Sequence, residues 1–472
     1  MKIFSRFSIL TAVLLCLATI ACKTPETPAE PELSIAAPEW SKNAVIYEIN
    51  TRQYSEDGTF LKVEKDLDRI QSLGVDILWF MPIHPIGVKN RKGGLGSYYS
   101  VQDYTAVNPE FGNVEDFKRL VQQAHKRGMK VILDWVANHT AWDNVWIDAH
   151  DDWYEHDSAG NKISPWDWTD VAKLNYQNPD MREAMIQALE YWVKECDVDG
   201  YRCDVAFMVP VDFWNQAAVR LHKIKNVFML AEMEAQTDIN PNFNAYFDTA
   251  FHANYGWSFH GTTHEIAQGK KTASDLRKYV EDRSMSDRVY RMYFLTNHDE
   301  NSWNGTIAEK YGDNWCPYSV LCYTMPQSFP LIYNGQEAGL NKRLAFFEKD
   351  AIDCWGDTSQ YAWYRKLNAL KHQSSALANG NLGGNFKWLG DNSESPLLGY
   401  IRETPYDKVI TIVNLGNESM SFESLGWNPG EKSLNYLGNA QYDEATESWS
   451  LPAHGYQIFT EIGKPRPVCN KE

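Results

Sequence analysis

The stretch DFKRLVQQAHKRGMKVILDWV, residues 116–136, carries two hydrophobic periods in direct succession. Phe117, Leu120, Val121 and Ala124 fall at i, i+3, i+4 and i+7, one face of a helix, and Gly128 follows a basic last turn as its stop. MKVILDWV, 129–136, is then a nearly continuous apolar run, the pattern of a strand buried on both faces. A helix feeding a fully buried strand is the repeat unit of a parallel sheet covered on its outer side.

The same alternation recurs outward from this stretch. AVIYEI (44–49), VDILWFM (75–81), GYRCDVA (200–206), NVFMLAE (226–232), AYFDTAF (245–251), RMYFLTN (291–297) and PLIYNG (330–335) join 129–136 to make eight strand-like runs. Met181, Met185, Ala188, Leu189 and Trp192 form a second helical stripe just before the run at 200. Eight runs suit one closed barrel of parallel strands, so the expected fold is α/β, a (β/α)8 TIM barrel over 39–372. The interval 138–177, after the third strand, is too long for a simple loop and reads as a small excursion. LLGYIRE, KVITIVNL, SMSFESL, SLNYLG and SWSLPAHGYQIFTEI follow, separated by Gly, Asn, Pro and Asp. Residues 373–472 therefore read as a C-terminal antiparallel β-sandwich domain with a tail.

The bulk composition narrows the partners. With 472 residues, 43% of them hydrophobic, the chain can bury a large core. Its 45 basic and 62 acidic side chains give a net charge of -17, which works against binding a phosphate backbone and argues against nucleic acid. The 18 Trp and 25 Tyr supply flat faces that stack on sugars as well as pack. Lys2 and Arg6, an apolar run over 7–20 and then Ala21-Cys22 form an export pattern. It resembles a bacterial lipoprotein signal: residues 1–21 are removed and Cys22 carries a lipid anchor in the cell envelope, an ordinary cleaved signal being the other reading. Residues 22–38, rich in Pro and Glu, read as a solvated tether. No Cys/His ligand spacing points to zinc, and Cys203 reads as a small buried hydrophobe. The oligomeric state is not indicated.

Barrel chemistry gathers where strands end. Asp134, Asn138 and His139 follow the third strand, Arg202 and Asp204 lie on the fourth, Glu232 ends the fifth, and His298 with Asp299 ends the seventh. Ionised acids are costly to bury unpaired, so three of them facing one basin read as a working site. A close pair of carboxyls can cleave a glycosidic bond, one as nucleophile and one as proton donor and acceptor. Arg202, two residues before Asp204 and on the same strand face, is expected to keep Asp204 ionised. Phe228, Met229 and Leu230 are expected to desolvate Glu232 and keep it protonated. Glu234 shares the strand face of Glu232 and is a rival acid.

At these residues DWVANH (134–139), GYRCD (200–204), AE (231–232) and FLTNHD (294–299) resemble, in order and spacing, four motifs of the α-amylase family of glycoside hydrolases. The segment from Tyr98 to Thr140, LNY (174–176) and IYNGQEAG (332–339) extend the resemblance, which covers roughly 40–462. It implies Asp204 as nucleophile, Glu232 as general acid/base and Asp299 as the third acid. Arg202, His139 and His298 would hold the sugar at the cleavage point, and Tyr99 would stack on it. Asn138 is a calcium ligand in many relatives, the other reading being a turn residue. Oxygens in DNVWIDAHDD (143–152) leave room for a structural Ca2+, while the chemistry itself requires no cofactor. Phe207 and Met208 stand where many starch-cleaving relatives carry Lys and His, on the leaving-group side. The implied activity is retaining, endo-acting hydrolysis of α-1,4 links in starch or maltooligosaccharides. The same machinery acting on small maltooligosaccharides, cyclodextrins or α-1,6 links, or transferring glycosyl groups, is the alternative. A catalytically silent carbohydrate binder is the third reading.

Overall fold

Eight parallel strands close into a barrel in which each strand pairs with its neighbours in sequence. They are Ile46–Ile49, Ile77–Phe80, Lys130–Trp135, Gly200–Cys203, Phe228–Ala231, Ala253–Tyr255, Tyr290–Tyr293 and Ser328–Tyr333. The computed structural model describes residues 35–234, 243–282, 288–356, 358–390, 395–423, 425–427, 429–430 and 433–462. The leader, Cys22 and most of the tether lie outside the described residues. The end of the tether packs instead of floating: Ile35 and Ala37 lean on the apolar core, and Pro38 is buried.

Period-two alternation divides the strand side chains between two layers. Ile46, Ile77, Trp79, Ile132, Phe228, Leu230 and Met292 form the barrel interior. Tyr47, Leu78, Val131, Leu133 and Met229 face outward and pack with helix residues such as Leu120 and Leu189. The helix Val114–Lys126 buries the stripe read from the sequence, and its first turn is closed by a reciprocal Asn113–Asp116 capping box. Pro179–Cys196 starts on the Asn178 side chain and ends at Asp197 in a left-handed conformation.

One strand lies elsewhere than the sequence suggests. AYFDTAF contains a short helix, Ala245–Asp248, and the sixth strand is Ala253–Tyr255 just beyond it. Phe243, Tyr246, Phe247, Ala250 and Phe251 are all buried at i, i+3, i+4, i+7 and i+8, a helical period hidden in an apolar run.

After the third strand the chain leaves the barrel and returns through a small ladder that pairs His139–Ala141 with Val171–Lys173. Beyond the helix Ser359–Gln373 two antiparallel sheets follow. One orders Asn385–Leu389, Leu397–Glu403, Asp407–Asn414, Tyr456–Ile462 and Leu434–Gly438; the other orders Met420–Phe422, Ser448–Leu451 and Gln441–Asp443. Both contribute to one apolar cluster that includes Ile410, Phe459, Leu451 and Trp449. The segment SWSLPAHGYQIFTEI splits at its Pro-Ala-His-Gly turn into two strands belonging to different sheets. Among the described residues no helix is long and apolar enough to cross a membrane.

Candidate active site

Strand register places a charged layer directly above the apolar interior. Ile132 pairs with Gly200 and Asp134 with Arg202, so the inner faces of the third and fourth strands end in an acid and a guanidinium side by side. Arg202 is fully buried and serves three carboxyls at once. Its Nη1 lies 2.8 Å from Asp134 Oδ1 and 3.0 Å from Asp204 Oδ1, and its Nη2 lies 2.9 Å from Glu232 Oε2. Its Nε donates to Tyr255 Oη at 3.0 Å. Asp204 and Glu232 are therefore within the span of one guanidinium.

Sharing Arg202 changes the charge balance expected from the sequence. Burial, then the charge of Glu232, raises the Asp204 carboxyl well above the ordinary carboxylate range, with Arg202 opposing. Burial likewise raises Asp134 against Arg202 and His298, and raises Asp299 against His298. Arg202 alone does not hold Asp204 ionised, because its charge is divided. Nor is Glu232 in an apolar setting: its Oε2 also accepts from the Val205 N–H at 2.8 Å. That donor is aimed by a turn in which Val205 holds φ +35°, a left-handed conformation costly for a β-branched residue.

His298 anchors the other flank. Its Nδ1 is 2.5 Å from Glu48 Oε1, and its Nε2 is 2.7 Å from Tyr99 Oη and 3.3 Å from Asp299 Oδ2. Burial opposes its charged form, but Asp299 and Glu48 outweigh burial and raise the imidazole to about 9. Tyr99 also donates to Asp134 Oδ2 at 3.1 Å, and its ring stacks near that of His298, 5.6 Å between centroids. His139 behaves oppositely: burial pushes it down to about 3, and as a neutral ring it accepts from Asn138 Nδ2 at 3.1 Å.

A cavity of about 430 Å³ opens over this layer. Tyr99, His139, Asp204, Glu232 and Asp299 line it, while Arg202 and His298 lie buried beneath and act on it through the groups they hold. Phe207 and Met208 are not among the lining residues. They sit in the short turn Ala206–Met208, with the Phe207 ring 6.3 Å from that of Trp166. Glu234 turns away, its Oε2 accepting from the Ser258 N–H and Oγ at the start of the helix Trp257–Ala267. Cavity residues not singled out from the sequence include Trp168, Trp303, Phe346, Phe347, Lys92 and Asp170. They come from separate loops and no local pattern marks them. Glu48 has a signal, an acid inside the apolar run AVIYEI.

The acids proposed for calcium are engaged with other partners. Asn138 Nδ2 donates to His139, which leaves its Oδ1 uncommitted, whereas Asp143 Oδ2 accepts from the Val88 N–H and Gln102, Asp152 accepts from Asn178, and Asp151 pairs with His156 and Lys162. Among the described residues no group of three acidic, His or Cys side chains is placed to hold a metal ion. No chemical step is therefore assigned to one.

Residues 48–376 match the family model described as "Alpha amylase, catalytic domain". The chain is 26% identical over 401 residues to Alpha-amylase MalA of Haloarcula japonica, a match covering 81% of this chain but 57% of that relative's length. It is 26% identical over 432 residues to a cyclomaltodextrinase of a Bacillus species, covering 80% of this chain and 73% of the relative. Among solved structures, an alpha-amylase from Lactobacillus plantarum superposes with a TM-score of 0.78 at 29% identity, covering 90% of this chain and 100% of that one.

Proposed function

Because the chain belongs to the alpha-amylase family of glycoside hydrolases, we propose that this enzyme cleaves α-1,4-glucosidic bonds of maltooligosaccharides and starch chains with retention of configuration. The observation that carries this reading is the trio Asp204, Glu232 and Asp299. They come from three strand ends and face one cavity, the first two bridged by Arg202. Such closeness suits double displacement, in which no water needs to fit between nucleophile and sugar.

In the first half, Arg202 holds Asp204 Oδ1 and leaves Oδ2 to attack the anomeric carbon. The glycosidic C–O bond breaks as Glu232 gives its proton to the leaving oxygen, and a glycosyl ester forms on Asp204. In the second half, Glu232 takes a proton from water, the water oxygen bonds to the anomeric carbon, and Asp204 leaves as carboxylate. Asp299, held by the buried imidazolium of His298, binds hydroxyls of the same sugar, whose face rests on Tyr99. Asp204 attacks as the carboxylate, the form that Arg202 favours against the burial and the Glu232 charge that raise it.

Incubating the purified chain with maltotriose, starch, pullulan and cyclodextrins tests the substrate class, and proton NMR of the first product tests retention. New reducing ends with the α anomer appearing first are expected. The β anomer appearing first, or hydrolysis undiminished in Asp204→Asn, would sink the assignment.

A second reading, glycosyl transfer to a sugar, is favoured by Trp166, which is 58% exposed beside Phe207. An aromatic ledge near the leaving-group side offers a stacking surface to a sugar acceptor in competition with water. The relative named cyclomaltodextrinase supports short or cyclic α-glucans as substrates. From the leader pattern we also propose export and anchoring through a lipid on Cys22, which release of a Cys22→Ala variant from membranes would check.

A further inference from the structure

The wall of the cavity beside Tyr99 is assembled from four segments distant in the chain. Lys92 Nζ lies 3.1 Å from Asp170 Oδ1, and both side chains line the cavity. Asp170 is 5% exposed, and its carbonyl accepts from Ser100 Oγ at 3.1 Å, which ties it to the residue next to Tyr99. The segment that carries Lys92 is fastened on its other side: the Gly94 N–H donates to Glu348 Oε1 at 2.6 Å and the Leu95 N–H to the Phe347 carbonyl at 2.9 Å. Gly93 holds φ +65°, and a Cβ there would stand 2.4 Å from Phe347 Cβ, an approach that only glycine allows. Phe346 lies nearly parallel to Tyr99 at 6.3 Å, and Trp303, from the turn after Asp299, meets Phe346 at 5.2 Å.

We propose that the Lys92–Asp170 bridge closes the cavity on the non-reducing side of the reacting sugar, so that the enzyme works at or near chain ends. The proposal rests on the roles given above to Asp204 and Glu232. Asp204 attacks the sugar held by Tyr99 and Asp299, and the other half of the bond departs past Glu232 and Val205. Phe346 packs on Tyr99 and Trp303 on Phe346, and Asp170, with Lys92, is tied to Ser100, so the four gather beside Tyr99, whereas Glu232 is held at the Val205 N–H. An ammonium donates and a carboxylate accepts, whereas a sugar hydroxyl does both, so the pair can bind the hydroxyls of a terminal glucose. A chain continuing beyond that glucose meets the bridge.

Two p-nitrophenyl maltoheptaosides test this on the full chain, one with a free terminal glucose and one blocked there by a 4,6-ethylidene group, with products followed by chromatography. The free substrate is expected to show kcat/KM roughly tenfold or more above the blocked one. Lys92→Ala and Asp170→Ser should bring the ratio towards unity, and Lys92→Arg should restore it. Lys92 has 38% side-chain exposure, so its replacement tests the bridge even where the Asp170 variant does not fold. Equal rates on both substrates in the unaltered protein would overturn the closure and leave the hydrolase reading standing. A ratio unmoved in Lys92→Ala would overturn the role of the bridge. Cleavage of neither substrate would overturn the hydrolase reading beneath both.

Discussion

Asp299 and then Glu48 raise the His298 imidazole, and of the two Glu48 is the one outside the reacting cavity. It is fully buried on the first strand and 2.5 Å from His298 Nδ1, so removing its charge leaves Asp299, 3.3 Å from Nε2, to support the imidazolium. A group raised in the fold from 6.5 to about 9 contributes stability that is complete below its unfolded value and lost as pH rises through the folded one. Thermal stability is thus expected to fall between pH 6.5 and about 9, with a contribution on the order of 3 kcal/mol at the low end. In Glu48→Gln that fall, and the alkaline limb of kcat/KM, should begin at lower pH. A pH profile matching that of the unaltered protein would exclude the positioning role. Asp204 and Glu232 were legible because each follows a short strand-like run, and Asp299 because FLTNHD resembles a family motif after the seventh run. The sharing of Arg202 was not, since Asp134 and Glu232 reach it only through strand pairing.

The fourth strand depends on what stands just before and at its first residue. Asp199 is fully buried, accepts from the Val131 N–H, and faces His125, Lys130 and Lys225 at 2.6, 3.4 and 2.9 Å. Burial raises its carboxyl, but His125 and Lys225 outweigh that and hold it below the usual range. A depressed carboxyl gives stability that is present above its unfolded value of 3.8 and lost as pH falls. Asp199→Asn should therefore cost about 3 kcal/mol at neutral pH and flatten the acid limb of the stability profile. An unchanged acid limb in denaturant titrations would show that the cluster contributes little. Gly200 follows with φ +155°, and a Cβ there would lie 1.9 Å from the Phe228 carbonyl oxygen on the fifth strand. Gly200→Ala is expected to push the two strands apart, costing roughly 1–3 kcal/mol and lowering kcat by displacing Asp204 from Glu232. Retained melting temperature and kcat would contradict it. Strands such as Lys130–Trp135 were readable because they are buried on both sides. AYFDTAF was misread because a buried helical turn and a buried strand are both continuous apolar runs, and only the spacing of Phe243, Tyr246 and Phe247 distinguishes them.

Residues 35–462 behave as part of one compact unit, so the β sheets belong to the stability of the barrel. Their general strand pattern was visible, yet Asn385–Leu389 was passed over although it alternates exposed and half-buried positions before the buried Leu389, and Gln441–Asp443 is wholly exposed and gives no such pattern. The attachment is polar at its centre. Arg402, 2% exposed on Leu397–Glu403, donates to the Met325 carbonyl at 2.8 Å and the Gly384 carbonyl at 3.1 Å. Met325 is the C-terminal cap of the barrel helix Trp315–Thr324, whose last carbonyls need donors and favour a positive charge. Beside it Tyr400 and Thr324 share a hydroxyl contact of 2.6 Å, and Trp363 meets Tyr456 edge-on at 5.0 Å. An Arg402→Met variant fills the space but leaves those carbonyls buried without a donor, costing about 1–3 kcal/mol. Because the barrel helix and the sheet lose the same contact, both should melt together. Calorimetry is expected to show one transition in the parent chain and one, at lower temperature, in the variant, with the blocked-to-free substrate ratio unchanged at assay temperature. Two resolved transitions in the parent chain would mean that barrel and sheets fold independently and that Arg402 serves only its own side of the contact.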